Sequence, residues 1–285
     1  MQSKHQLALT YLERAPAAAA KILESLPETA VAELLSLAPV TTAAPVFEQL
    51  STAKGIACLA CLDQLAATHL LIQLSSINAA TLLKGIPQTK RKAILHQMPT
   101  LKAQAIQILL AYPSNVVGAW IDPQVLTLRN THTFAEALQQ LKFFQGAIPH
   151  RLFILDRRRY LVGVISATDI MGHPENKLLN DYMNAKPAAL QSRLQLTQAQ
   201  QHPDWSHSIV MPVVNRNNEF IGVLNYSTLN KAVEQLKSMP DKAIKTTQVD
   251  SSLGLLISDS VIGVWQALRD AWNLNSNREE QHGRR

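Results

Sequence analysis

Only two cysteines occur in the 285 residues, Cys58 and Cys61, so no disulfide framework staples the fold. Their Cys58-Leu-Ala-Cys61 spacing invites a redox reading. That chemistry wants a helix start after a strand and a lowered thiol pKa, whereas Ala and Leu flanks fit buried, inert thiols. Long hydrophobic runs are also missing. The best membrane candidate, 253–274, is interrupted by Ser258, Asp259, Ser260, Gln266, Arg269 and Asp270, short of the roughly 18–20 apolar residues a span requires. No charged-then-apolar signal opens the chain. These absences predict a cytoplasmic protein with no transmembrane segment.

Excess charge is scarce as well. Lys and Arg number 27 against 21 acids, a formal +6. The basic clusters Lys90–Arg91–Lys92, Arg157–Arg158–Arg159 and Arg284–Arg285 are not interleaved with aromatics and sit on no nucleic-acid motif. They read as solvated charge, with no nucleic acid expected as a partner. His69 and His96 lack a second ligand at i+3 or i+4. With no nucleophile–base pair, Gly-rich phosphate loop or ligand cluster, the chain is not expected to be an enzyme.

What the chain does have is apolar content of 47%, enough for a substantial core. Over residues 20–112 a short motif recurs in which an apolar residue precedes a breaker. The marked residues are Leu26, Leu37, Leu50, Leu62, Leu74, Ile86, Met98 and Leu110, spaced 11, 13, 12, 12, 12, 12 and 12. Twelve residues hold two turns of helix and a connection, and Pro past a helix end stops it or opens the next at its first position. Helices this short are marginal alone. Stacking them on a shared core, as an α-solenoid, removes that weakness.

After Pro113 the pattern changes. Leu152 to Ile170 aligns with Met211 to Leu229 at an offset of 59 without a gap. Each copy reads as strand, polar turn, strand and helix. Asp156–Arg159 and Asn215–Asn218 are the hairpin turns. Gly163 and Gly222 occupy matching places where a side chain would obstruct another backbone or a ligand. Upstream, Val125–Leu128 with Phe134–Leu138 supplies a strand and a helix, matched by Ala188–Leu190 and Leu196–Ala199, with Pro203 cutting the second helix early.

These duplicated segments resemble the CBS domain, and Gly163-Val-Ile-Ser166-Ala-Thr-Asp169 matches that family's Gly-x-x-Ser/Thr-x-x-Asp signature. The helical repeat, then Ala111-Tyr112-Pro113 and Gly118-Ala119 leading into a CBS pair, is similar to the cytosolic region of MgtE-type magnesium transporters. The resemblance implies an α+β protein: an all-α helical repeat, a short α-solenoid, followed by a tandem CBS pair of βαββα modules. The expected divisions are 1–113 for the MgtE N-like domain, 114–178 and 179–237 for the two modules, and 238–285 for a linker, an amphipathic helix and a disordered tail.

In such transporters a membrane domain follows, and none follows here, so the chain reads as a regulatory component and not as the pore. The resemblance further implies a homodimer through the CBS pair and a membrane transporter as partner. An adenine nucleotide (ATP, ADP or AMP) would bind module 1. Asp169 would accept from ribose hydroxyls, Ser166 would contact sugar or phosphate, and Arg151 and Leu152 would form the wall. From the residues alone, Ser166 and Asp169 also read as an N-cap and its capping-box carboxylate; a nucleotide could use that same helix terminus. The second copy has Asn225 and Thr228 at those positions and no ribose carboxylate. Magnesium sensing would need clustered carboxylates. Asp122, Asp156, Asp181 and Asp204 stand isolated, so the metal ligands are unassigned. In 253–274, Ile257, Val261, Val264, Trp265, Leu268 and Trp272 share one face; packing on its own domain, pairing with a second subunit, and lying on a partner or membrane all fit.

Overall fold

The computed structural model describes residues 9–144, 149–185 and 187–238. They form two compact units, one reaching to Ala111 and the other beginning at Tyr112. The tail helix expected over 253–274 and the tail 275–285 lie outside the described residues.

The first unit is a helical repeat of nearly invariant length: α1 Pro16–Glu24, α2 Glu28–Leu37, α3 Val40–Gln49, α4 Thr52–Cys61, α5 Gln64–Gln73, α6 Ser76–Lys84, α7 Gln88–Gln97 and α8 Thr100–Leu110. Each helix starts 12 residues after the last. Ser51, Asp63 and Ser75 cap α4, α5 and α6 by accepting from the amides of Lys54, Ala66 and Asn78, satisfying otherwise orphaned donors. Pro27, Pro39, Pro87 and Pro99 stand at the N-cap, one residue ahead of the first helical position the sequence predicts. Placed there, the ring forces the preceding residue to be extended and ends the helix before it. The proline carbonyl still accepts the first helical bond, as from Val31, Ala43, Arg91 and Ala103.

Leu50, Leu62, Leu74, Ile86 and Met98 are buried as the period demands. The irregular 11 and 13 spacings disappear: Leu37 is 57% exposed and Ala38 is buried, so the second repeat keeps its phase with a smaller residue. Helices pack on their next-but-one neighbours, α1, α3, α5 and α7 in one layer and α2, α4, α6 and α8 in the other. Lysines near helix starts tie the layers. Lys54 donates to the Leu26 carbonyl, Lys90 to Leu62 and Lys102 to Leu74, a cation on the carbonyls just past the end of the third helix before its own.

The second unit contains β1 Thr127–Arg129, α9 Phe134–Phe143, β2 Arg151–Leu155, β3 Leu161–Ser166 and α10 Ala167–Gly172, then β4 Leu190–Gln191, α11 Leu196–Gln200, β5 Val210–Val214, β6 Phe220–Asn225 and α12 Tyr226–Ser238. Two three-stranded sheets result, β1-β2-β3 and β4-β5-β6, each with its first pair parallel and its second antiparallel. The duplication extends to detail. Register slips at Ile154/Leu155 and at Val213/Val214, and the turns place Arg159 and Asn218 at φ 66° and 61°. Asp156 accepts from the amides of Arg158 and Tyr160, as Asn215 does from Asn217 and Glu219.

The segments leading into each copy are exchanged. The turn Val117–Ala119 donates to Leu194 and Ser192 of the second copy, and Asp122 pairs with Val223 on β6. Reciprocally, Leu179 donates to His132 and Asn184 pairs with Val164 on β3. Gly163 and Gly222 accommodate these crossings: a Cβ at Gly222 would lie 2.4 Å from the Asp122 carbonyl oxygen, and one at Gly163 2.9 Å from that of Asn184. Of the two readings the sequence left open, each glycine meets backbone. Between the copies, Phe153, Leu155, Leu161, Val164, Phe220 and Val223 share one apolar cluster.

Candidate functional site

The signature residues gather where β3 runs into α10. Ser166 ends the strand in extended conformation and caps the helix. Its Oγ accepts from the Asp169 amide at 3.0 Å, while an Asp169 carboxylate oxygen accepts from the Ser166 amide at 3.3 Å. The two form a complete capping box. Thr168 Oγ1 lies 2.7 Å from Ser166 Oγ, adding a second hydroxyl to this edge. Hydrogen bonds from Ser166, its side chain first and then its backbone, hold the Asp169 carboxyl below its usual range, with smaller help from His173 and His150. The carboxyl is therefore ionised at neutral pH, half-buried, with lone pairs beyond those the cap uses.

Arg151 opens β2 directly opposite Ser166 in the antiparallel register and is half-buried. Leu152 is placed differently. Its side chain is fully buried among Phe134, Ile165 and Ile170 in the core of the first module, so it supports the strand from behind. Ser166, Asp169 and Arg151 thus share one strand-to-helix edge, and Leu152 anchors it.

Sequence reading overlooked the residues around this edge. His173 Nδ1 lies 2.8 Å from the Asp169 carbonyl oxygen, and its ring stacks on Phe134 at 4.9 Å and meets Tyr182 edge-on at 4.8 Å. His150 joins through its carbonyl, which accepts from Ala167. A His four residues past the signature Asp was the available signal. Tyr182 carried none, because it arrives from the exchanged segment.

The matching edge of the second copy has the same backbone and other chemistry. Tyr226 donates its amide to the Ile209 carbonyl as Ala167 does to His150. Asn225 and Thr228 replace the capping pair, and the Tyr226 ring packs against Trp205 at 5.1 Å. Among the described residues, no three His, Cys, Asp or Glu side chains gather as a metal site would require. No described helix is long and apolar enough to cross a membrane.

Comparison with known proteins agrees with this architecture. Residues 14–115 match the MgtE intracellular N domain and 117–176 the CBS domain. The magnesium transporter MgtE of Bacillus subtilis (strain 168) is 25% identical over 209 residues, 71% of this chain and 46% of the relative; the chain spans about half of that protein's length. The crystal structure of the cytosolic domain of the Mg2+ channel MgtE in complex with ATP superimposes with a TM-score of 0.67 at 19% identity, covering 78% of this chain and 92% of that one. The soluble part of a magnesium transporter gives 0.57 at 17% identity, covering 84% and 100%. At such identities these two structures speak for the fold. In its family content, then, the chain carries a segment like the MgtE intracellular N domain followed by one like the CBS domain, the order found in the MgtE-type proteins it resembles.

Proposed function

We propose that this chain is a non-catalytic regulatory module of a cytosolic magnesium-transport control system, and that it binds an adenine nucleotide at the first CBS module. The observation that carries the reading is the Ser166–Asp169 edge. An ionised carboxylate with spare lone pairs, two hydroxyls and a facing arginine are a donor–acceptor set suited to a ribose cis-diol and a phosphate. An ATP complex of a similarly folded cytosolic domain supports it. Asp169 takes the ribose, Ser166 the sugar or phosphate, and Arg151 the phosphate side, with Leu152 fixing the strand. The second copy, without the carboxylate, is the structural partner of the first. On this reading the module is a homodimer through its CBS pair and acts on a membrane transporter. Mg2+ enters as the nucleotide's counter-ion; a protein-held ion is not part of the proposal.

A thermal-shift titration with ATP, ADP and AMP, with and without Mg2+, tests this. Nucleotide at about 100 times its dissociation constant stabilises by roughly 2.7 kcal/mol, a shift on the order of 10 °C for a CBS pair. Asp169→Ala should remove the shift and Thr228→Ala should leave it. If no nucleotide moves the midpoint, the second reading holds: an interaction protein without ligand sensing. That reading is favoured by Asn225 and Thr228, and by a first site whose Ser166 and Asp169 already satisfy each other.

A further inference from the structure

From Gln64 to Ala111 the chain contains no Asp or Glu, yet it holds Lys84, Lys90, Arg91, Lys92 and Lys102. Four of these cations meet at α7. It is the last helix of its layer, and Ile94 is its one buried residue. A terminal repeat needs a polar outer face to keep a solenoid from continuing, but mixed charges would serve. Lys90 and Lys102 tie helix ends, yet a run of one sign with no acid within it also adds self-repulsion that those ties do not remove. That repulsion registers at Lys84, whose amine is pushed down to about 8 by burial and by Arg91 beside it.

The heads of Lys90 and Arg91 are held by backbone carbonyls. Lys90 Nζ donates to the carbonyls of Ala60 and Leu62 at 2.9 and 2.6 Å, and Arg91 to those of Lys84 and Ile86 at 3.1 and 3.2 Å. Carbonyls satisfy the donors and leave the charge. Lys92 and His96 are exposed beside them.

The identity of the counter-charge follows from what else is missing. No Phe, Trp or Tyr occurs between Phe47 and Tyr112, so the surface has no platform on which bases could stack. No large apolar side chain of α7 is exposed, so it has nothing to insert at the lipid boundary as an interfacial helix does. We propose that α7, through Lys90, Arg91, Lys92 and His96, forms the docking face for an acidic, carboxylate-rich segment of a protein partner.

The full chain and a fluorescein-labelled decaglutamate peptide test this by fluorescence polarisation at low salt. The peptide should bind, and binding should weaken steeply as salt rises. The double variant Lys92→Glu/His96→Glu changes exposed side chains and should keep the wild-type melting temperature while weakening binding about tenfold, since each surface charge contributes a few tenths of a kcal/mol or more. Lys142→Glu, an exposed lysine of the other unit, should bind as wild type. Absence of peptide binding overturns the proposal. So does equal loss in Lys142→Glu, which would mean net charge alone. Tighter binding to vesicles containing 30% phosphatidylserine, or to a DNA duplex, would assign the face to a membrane or to nucleic acid instead. None of these outcomes depends on whether nucleotide binds at Asp169.

Discussion

A methyl group added at Gly222 would sit 2.4 Å from the Asp122 carbonyl oxygen and 3.0 Å from its carbon, on a backbone already at φ +153°. Both atoms are backbone, so relief requires moving the exchanged segment. Gly222→Ala should therefore destabilise the second unit by about 2–4 kcal/mol. At the matching position, the nearest atom to an added Cβ is Met183 Sδ at 2.5 Å. A thioether can swing away, and the Asn184 carbonyl oxygen at 2.9 Å is a milder clash than the 2.4 Å one at Gly222, so Gly163→Ala should cost less in the same urea melts. Lys84 offers a test of another kind. Its folded pKa is lowered to about 8 against about 10.4 unfolded, so between those values the unfolded chain binds more protons and stability rises with pH. The gain should be about 1 kcal/mol from pH 8 to 9. It should be absent in Lys84→Met. From about pH 8 Cys58 opposes it, because burial pushes its thiol up to about 11 against about 8.5 unfolded, and the unfolded state then holds fewer protons. The Lys84 gain is therefore read as the difference between wild type and Lys84→Met. A wild-type curve that gains nothing over Lys84→Met between pH 8 and 9 would contradict the assignment.

Among the elements, the lysine ties are what turn short helices into a layer. Lys54 is almost fully buried, and it meets the Leu26 carbonyl and, at 3.3 Å, the Glu28 carboxylate. Lys54→Met removes the donor and leaves both acceptors, which should cost the helical unit about 1–2 kcal/mol by chemical denaturation. Lys92→Met, at an exposed position of α7, should fall within about 0.5 kcal/mol of wild type. The period itself was readable because breakers recur locally: Pro27 and Pro99 mark a helix start by their ring, Ser51 and Asp63 by a capping side chain. Phase was readable only where the marker was large. Ala38 does in its repeat what Leu50 does in the next, and a small residue gives hydropathy no signal, so Leu37 was marked in its place. The lysine ties were invisible for a related reason. They join residues 28 apart, and a lysine in an exposed-looking first turn carries no mark of the carbonyl it reaches. At the candidate site, Ser166 and Asp169 were legible because four consecutive residues enclose the whole capping box. Leu152 was named as a wall residue, and its burial among Phe134, Ile165 and Ile170 depends on which way β2 faces.

At the scale of the whole second unit, exchange of the leading segments decides how the duplicated copies can open. β3 of the first copy is completed by Asn184, and β6 of the second by Asp122. Each copy is therefore bridged by a residue from outside its own β-hairpin, and the shared cluster of Phe153, Val164, Phe220 and Val223 belongs to neither alone. Opening one sheet strips the cover from the other. A duplication whose copies were merely adjacent would open stepwise; this one should open as a single cooperative unit. Hydrogen exchange reads the difference at two amides, Val223 N–H on the Asp122 carbonyl at 3.0 Å and Val164 N–H on the Asn184 carbonyl at 3.3 Å. In the full chain under conditions where exchange reports opening equilibria, Gly222→Ala strains the Val223 crossing directly and leaves the Val164 crossing untouched in covalent terms. Cooperative opening requires both amides to lose protection by the same factor, about thirtyfold or more for a 2 kcal/mol destabilisation. Faster exchange at Val223 with Val164 unchanged would show that the modules unfold independently, and that a signal bound at Asp169 would have no route through the sheets to the second copy.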